Sequence, residues 1–326
     1  MSSMSCAASN GVCAPRPSVA AVIVTFNPEI ATLRKMIEAL QAQVEEIVLV
    51  DNASAATGAE QIAQLAHEYA CRFESLTENL GIGAAQNWGF AAVTRRESNS
   101  SAGDRYVLFL DHDSIPETSM VDLLLAADLR MRDQGVRVGA VGPAIVDNRT
   151  GTTGRFVSSS NLFVKRIPCQ PGCAQLDVDF LISSGTLVRV DTFEEIGGMD
   201  EALFIDHVDT EWCLRAKAAG YALFGVCNAR LIHSLGDEVV AVWVGRKREI
   251  FVHSPLRDYY MCRNTLLILR SAHMSFGWRL FLSMRLVASI VFFVATQAPR
   301  LRRLRCMMVG LRDGLLNRQG KWKPSW

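Results

Sequence analysis

The chain has 326 residues, 49% hydrophobic and 21% charged, a balance that can fill a sizeable core and excludes global disorder. Its formal net charge is only +1, which gives no support to a chain that binds anions over its whole surface. Nine cysteines stand at irregular spacings; the one close pair, Cys169 and Cys173, belongs to no zinc-type set, so reduced thiols in a cytoplasmic protein are expected.

In chain order, residues 1–18 are small and polar and read as a disordered tail, not a secretory signal. Val19–Thr25 is a short apolar run, expected as a buried strand. Glu29–Gln43 places Ile30, Leu33, Ile37 and Leu40 at a helical period. Glu46–Asp51 reads as strand, Ala59–Tyr69 as helix, Cys71–Leu76 as strand, Ala84–Thr94 as helix and Tyr106–Leu110 as strand. Alternation of this kind predicts an α/β domain with a mostly parallel sheet flanked by helices. Further on, Val138–Val146, Phe180–Leu187, Tyr221–Val226 and Ala229–Ile232 are strand-like. Val208–Ala219 is a helix ended by Gly220.

In such sheets a ligand sits at the carboxyl ends of the strands. Polar residues follow four of them: Asn27, then Asp51 and Asn52, then Asn79, then Asp111 and Asp113. Ordinary turn chemistry explains any one of these, but the set is harder to explain that way. Asp111-His112-Asp113 is a D-x-D tripeptide, and two carboxylates after an apolar strand suit Mg²⁺ or Mn²⁺ bridging two phosphates. Asp206, Asp209 and Glu211 form a second acidic cluster, one of which can act as general base on an acceptor hydroxyl. Acids at a helix start are also favoured by the macrodipole. His233, after a strand, completes a mixed oxygen and nitrogen metal shell.

The ordered segments VIVTFNP, VDNAS, ENLGIGAAQNWG, FLDHDS, FLISSGTLVR and FIDHVDTEWCLRA resemble the bacterial family 2 glycosyltransferases of the GT-A fold, over about Val19 to His233. The likeness is greatest to bacterial L-rhamnosyltransferases. FIDHVDTEWCLRA, HSPLRDYYMCRN and LRRLRCMMVGLRDGLLNR resemble the group that adds the second rhamnose in rhamnolipid synthesis. O-antigen rhamnosyltransferases share much of the pattern.

The resemblance implies an inverting enzyme with dTDP-L-rhamnose as donor. It implies an amphiphilic glycolipid acceptor, either mono-rhamnolipid, giving di-rhamnolipid, or a lipid-linked oligosaccharide. It assigns Thr25, Asn27, Asp51 and Asn52 to the nucleotide, and Asn79, Gly83 and Asn87 to the segment beside the donor. Asp111, Asp113 and His233 would hold the metal, with Asp113 the direct ligand and Asp111 also beside the donor. Asp209 would be the catalytic base. Ser184, Gly185, Asp206, Glu211 and Arg263 would contact acceptor or diphosphate. Relatives often carry Glu-Asp where this chain has Val208-Asp209, so the base is kept without its acidic neighbour.

Pro255–Ser271 reads as an amphipathic helix, with Arg263 and Asn264 facing either the site or solvent. Trp278–Ala298 is apolar but contains Arg279 and Arg285, and its longest uncharged run is 13 residues, Leu286–Ala298. Spanning needs about 20 apolar residues, and a central arginine costs roughly 2.5–3.5 kcal/mol. An interfacial helix is therefore expected, with a packed core helix as the competing reading. From Arg300 to Trp326 eight Lys/Arg face one acid, Asp313, so the tail carries +7 and the remainder −6. That charge suits anionic lipid on the inner face of the cytoplasmic membrane. The expected organisation is a tail over 1–18, a GT-A domain over 19–254 and a helical, basic, membrane-associating region over 255–326.

Three rival readings compete. A nucleotidyltransferase would want a glycine-rich basic loop near the amino terminus, and Thr25-Phe26-Asn27-Pro28 is not one. A nucleic-acid binder would want aromatics interleaved in the basic tail, which has only Trp322 and Trp326, so no nucleic-acid partner is expected. A non-catalytic nucleotide-binding module would leave the acidic clusters unexplained.

Overall fold

The computed structural model describes residues 17–95, 105–160, 163–233, 238–243 and 247–323. Most of the expected amino-terminal tail therefore lies outside the described residues. The strands β1 (Ser18–Thr25), β2 (Glu46–Asp51), β3 (Arg72–Ser75) and β4 (Arg105–Asp111) pair in parallel in the order β3-β2-β1-β4. β10 (Leu187–Arg189) lies antiparallel between β4 and β6 (Val138–Asp147). β11 (Ala222–His233) continues parallel to β6, and β5 (Ser114–Pro116) and β9 (Gln175–Val178) pair antiparallel with β11. The sheet is thus mostly parallel but mixed.

Each central strand is apolar on both faces because each face is covered. Ala21, Ile23, Leu49, Leu108 and Leu110 pack with Leu33 and Ile37 of α1 (Ile30–Gln41) and Leu124 of α4 (Met120–Asp133). Val22, Val24, Val50, Val107 and Phe109 pack on the other face with α3 (Ile82–Thr94), α5 (Val190–Ile196) and α6 (Val208–Ala218). The period-2 alternation of strand side chains makes this division. Phe193 sits at the centre of the second face, with ring centroids 4.4 Å from Phe90, 5.3 Å from Phe109 and 5.7 Å from Trp212. α2 (Ala56–Glu68) covers β2 and β3.

Two strand expectations change. Of Phe180–Leu187 only Leu187 is in a strand, because the chain turns at Gly185 (φ +88°) to bring Ser184 beneath Asp111. Tyr221–Val226 and Ala229–Ile232 belong to one strand, β11, interrupted by an irregularity between Val226 and Arg230. The all-reduced reading of the cysteines also fails: Cys169 and Cys227, 58 residues apart, are disulfide-bonded. Cys71, Cys173, Cys213, Cys262 and Cys306 are free.

The carboxyl-terminal region is α7 (Pro255–Ile268), α8 (Phe276–Thr296) and α9 (Arg300–Leu315). α7 and α9 pack closely because Gly310 and Gly314, one turn apart, stand against the carbonyls of Tyr259 and Arg263, where any side chain would clash. Arg303 and Asp258 form a buried ion pair between them at 2.6 Å. α8 is buried along Gly277, Trp278, Leu282, Leu286 and Phe293, and Trp278 donates to Asp179 at 3.2 Å. Its opposite face is bare: Met284, Val287 and Val291 are 64%, 62% and 64% exposed. The packed core helix is therefore the wrong reading of this segment. Its two arginines lie off that stripe, Arg279 partly buried and Arg285 exposed. Arg279 donates to the carbonyls of Leu269, Ser271 and Met274 behind α7, and Arg285 points into the cleft described next.

Candidate active site

The carboxyl edges of β1, β2 and β4, the loop before α6 and the faces of α7 and α8 enclose a cleft of about 730 Å³. On its sheet side, ligand atoms of Asp111, Asp113 and His233 lie within 4.8 Å of one another. Asp111 ends β4, Asp113 precedes β5 and His233 ends β11, and β5 pairs with β11 through Ser114 and His233. The backbone ladder itself brings the three together. Ser184 accepts from the Asp111 amide at 3.0 Å, contacts Ser114 Oγ at 2.7 Å, and Ser114 Oγ lies 2.7 Å from His233 Nδ1. This buried chain orients the imidazole as outer-shell partners orient metal ligands.

The electrostatics fit a cation. Burial raises the Asp111 carboxyl, with Asp113 adding and His233 opposing. For Asp113 burial acts upward, but the hydrogen bond and charge of His233 outweigh it and the carboxyl ends below its ordinary value. His233 is correspondingly held above its own, since Asp113 at 3.3 Å overcomes burial. Two carboxylates and one imidazole form a donor set for Mg²⁺ or Mn²⁺.

Across the cleft stands Asp209, in the first turn of α6. The approach to that helix is strained: Phe204, Asp206 and His207 all have positive φ, near 65°. Non-glycine residues in this region persist only when the surroundings hold them. The start of α3 and the face of α7 supply the hold, Ile82 donating its amide to the Phe204 carbonyl at 2.8 Å. Asn264 donates to the carbonyls of Leu203, Ile205 and Asp206 at 2.8, 2.7 and 3.0 Å. Arg263 donates to Leu203 at 2.9 Å and also to Gly320, and Arg257 pairs with Asp206 at 2.5 Å. Burial pushes the Asp209 carboxyl up to about 6; the Thr210 amide opposes this, and the charges of Asp111 and Asp206 add to it. Burial therefore outweighs the amide hydrogen bonds at the start of the helix. His207 is lowered to about 4 by burial and then by the charge of Arg285.

The other expected residues divide into two groups. Asn52, Asn79, Asp111, Asp113, Asp206, Asp209 and His233 line the cleft. Thr25 and Asp51 are buried behind its wall and Asn27 is exposed outside it: Thr25 Oγ1 donates to Asp51 at 3.1 Å, and Asn27 accepts from the Ala55 amide at 2.8 Å. Gly83 packs against Val208 and Asp200, so its lack of a side chain serves helix packing. Asn87 brackets the amide and carbonyl of Met199. Ser184 and Gly185 support Asp111 from below, and Glu211 is tied to Arg215 one turn on.

Arg263 requires a correction. It is 1% exposed, and its donors are taken by chain carbonyls, so it braces the loop and contacts no ligand in the cleft. Residues that the sequence reading passed over do face the cleft, among them Phe26, His112, Arg257 and Arg285. Arg257 stands in the quoted HSPLRDYY segment, and Arg285 was visible as a charge breaking an apolar run.

The fold and the cleft together define a class, the glycosyltransferases of the GT-A type. Comparison with known proteins narrows it. Residues 20–197 match the model of glycosyl transferase family 2. The chain is 30% identical over 303 residues to the dTDP-rhamnosyl transferase RfbF of Shigella flexneri, covering 91% of this chain and 95% of that protein. The crystal structure of S. aureus TarS superposes with a TM-score of 0.51 at 14% identity, covering 92% of this chain and 49% of that one, a likeness of fold alone. The chain belongs to glycosyl transferase family 2, and it is a glycosyltransferase.

Proposed function

We propose that this enzyme transfers L-rhamnose from dTDP-L-rhamnose to a hydroxyl of an amphiphilic glycolipid at a membrane surface. The relation to a protein named as a dTDP-rhamnosyl transferase, over nearly the full length of both, carries the donor assignment. Two observations support the acceptor class. The outer face of α8 is an unbroken apolar stripe, and α9 beside it exposes Arg302 and Arg305. Apolar area with flanking basic charge is the composition of an interfacial helix on anionic lipid. The inner face of the bacterial cytoplasmic membrane is the corresponding location.

The reaction is a single displacement. Asp209 accepts the proton of the acceptor hydroxyl, whose oxygen bonds to the anomeric carbon as the bond to the nucleotide diphosphate breaks, inverting the centre. Asp209 fits because a base titrating near 6 is largely ionised at neutral pH and stronger than an ordinary carboxylate. A divalent ion held by Asp111, Asp113 and His233 would supply Lewis-acid neutralisation of charge on the departing diphosphate. Asn52 and Asn79 shape the turn beside the donor: Asn52 accepts from the Leu80 amide at 2.9 Å and Asn79 from Gly81 at 3.0 Å.

Two acceptors compete, mono-rhamnolipid and a lipid-linked oligosaccharide, and the motif resemblance allows both. Incubation with dTDP-L-rhamnose and each acceptor, followed by mass spectrometry, decides between them. A gain of one deoxyhexose on one acceptor assigns it. Transfer from a uridine diphosphate sugar, with none from dTDP-L-rhamnose, overturns the donor assignment.

A further inference from the structure

The cleft contains two arginines in different circumstances. Arg257 is ion-paired with Asp206, and its charge reaches Asp111, so it belongs to the metal side. Arg285 enters from α8, and its electrostatic neighbours are Asp206, Asp209 and Arg166. It forms no hydrogen bond or close ion pair with any described residue. Arg166, exposed on β8 (Phe163–Ile167) where that hairpin meets α8, is in the same condition.

Although the side chain is exposed overall, the protein atoms around it, and then the repulsion of Arg166, work against the charge of Arg285, with Asp206 and Asp209 opposing. A guanidinium cannot shed its proton, so two arginines that repel one another at a cleft rim, neither with a hydrogen-bonded partner among the described residues, favour an anion between them. The helix position adds a direction. At about 100° per residue, Arg285 sits roughly 140° around α8 from the centre of the exposed stripe that includes Met284, Val287 and Val291. One helix thus shows an apolar side to its surroundings and a lone cation to the base side of the cleft.

We propose that Arg285, with Arg166 at the rim, binds an anionic group of the acceptor, a carboxylate or phosphate near the hydroxyl that Asp209 deprotonates. The acceptor is then an anionic amphiphile. The inference rests on the glycolipid-transfer reading above and deepens it. The donor diphosphate is the other anion in the cleft, but its expected position is beside Asp111 and Asp113, where Arg257 already supplies a cation.

The test is steady-state kinetics on the full chain, comparing wild type with Arg285→Gln, Arg285→Lys and Arg166→Gln. The donor is dTDP-L-rhamnose. The acceptors are mono-rhamnolipid, its methyl ester and a diphosphate-linked lipid saccharide. Thermal stabilisation by dTDP with Mn²⁺ is measured in parallel. Arg285→Gln should raise the KM of the accepted anionic lipid by about tenfold or more, with a smaller rise for Arg166→Gln and partial rescue by Arg285→Lys. Donor KM and dTDP stabilisation should stay within about twofold of wild type. If the group is a carboxylate, the methyl ester on wild type should behave like the acid on Arg285→Gln. If it is a phosphate, only the diphosphate-linked acceptor should respond. An unchanged acceptor KM, or a rise in donor KM in its place, overturns the proposal. Loss of dTDP stabilisation in wild type would instead sink the underlying transferase reading.

Discussion

The two sides of the cleft are built differently. On the metal side, Asp111, Ser114 and His233 are placed by strand ends, so the ladder that forms the sheet also sets the site. On the base side, Asp209 follows three residues of positive φ, Phe204, Asp206 and His207, that lie outside the strands and helices. Phe204 accepts from the Ile82 amide of α3, whereas the carbonyls of Leu203, Ile205 and Asp206 are held by Asn264 and Arg263 from the carboxyl-terminal helices. A ladder is self-supporting, whereas a strained loop depends on its neighbours. The carboxyl-terminal region thus braces the loop before Asp209 and also carries the exposed apolar stripe of α8.

The largest expected effect is on the base. Asp209→Asn should lower transfer by about 10²–10⁴-fold while dTDP binding stays near wild type. In wild type, kcat/KM should fall about tenfold per pH unit below about 6, as the base protonates. The stability sign is opposite to that of a salt-bridged carboxylate. The folded state holds this proton more tightly than the unfolded chain, so stability from this group is lost as pH rises from about 4 to about 6. The Asn variant should therefore melt no lower than wild type at pH 7.5. A clearly lower melting temperature would show that Asp209 is structural.

The metal side should respond more gently. Ser114→Ala leaves the three ligands in place and removes the hydroxyl 2.7 Å from His233 Nδ1. Loss of such an outer-shell partner costs about 10–100-fold in metal affinity. The Mn²⁺ concentration for half-maximal activity should shift by that amount, with kcat recovered at saturation. No shift would mean that the sheet alone orients His233.

Asn264→Ala probes the dependence of the loop on α7. It orphans the carbonyls of Ile205 and Asp206, at about 1–3 kcal/mol for an unsatisfied buried group, while Leu203 keeps Arg263. The melting temperature should drop and kcat should fall, while dTDP affinity is retained. Retained kcat in a destabilised protein would separate the loop from catalysis.

The asymmetry also governs what could be read in advance. Asp111, Asp113 and His233 follow apolar strands, and a strand end has one place to be, so their grouping was legible. The antiparallel β10 was not, because three residues carry no period and direction is set by partners. Arg263 looked like a ligand contact because a guanidinium reads alike whether it meets phosphate or chain carbonyls. Arg285 appeared as a flaw in an apolar helix, since sequence shows that a charge is present and not which way it points. The Cys169–Cys227 bond spans 58 residues with no spacing signal to announce it.

The smallest effect concerns the outer face of α8, and it separates the two roles of the carboxyl-terminal helices. Deleting the chain beyond Phe276 would remove α9 along with α8, and α9 packs on the helix that holds the loop. Membrane release by such a deletion would come with a broken base side. A single exposed residue is cleaner. Val291 is 64% exposed and lies on the side of α8 away from Arg285. Fully burying a valine contributes about 1.5 kcal/mol, so partial insertion into lipid should contribute about 1 kcal/mol. Val291→Gln should then weaken binding to anionic vesicles by roughly fivefold. Turnover on a detergent-dispersed acceptor should be unchanged, because this residue touches neither the loop nor the metal ligands. If vesicle binding holds and added salt alone releases the protein, the contact is carried by the basic residues of α9 and the apolar stripe is idle. If turnover in detergent falls as well, the outer face of α8 is coupled to the cleft through Arg285, and the lipid and catalytic roles of this region are one.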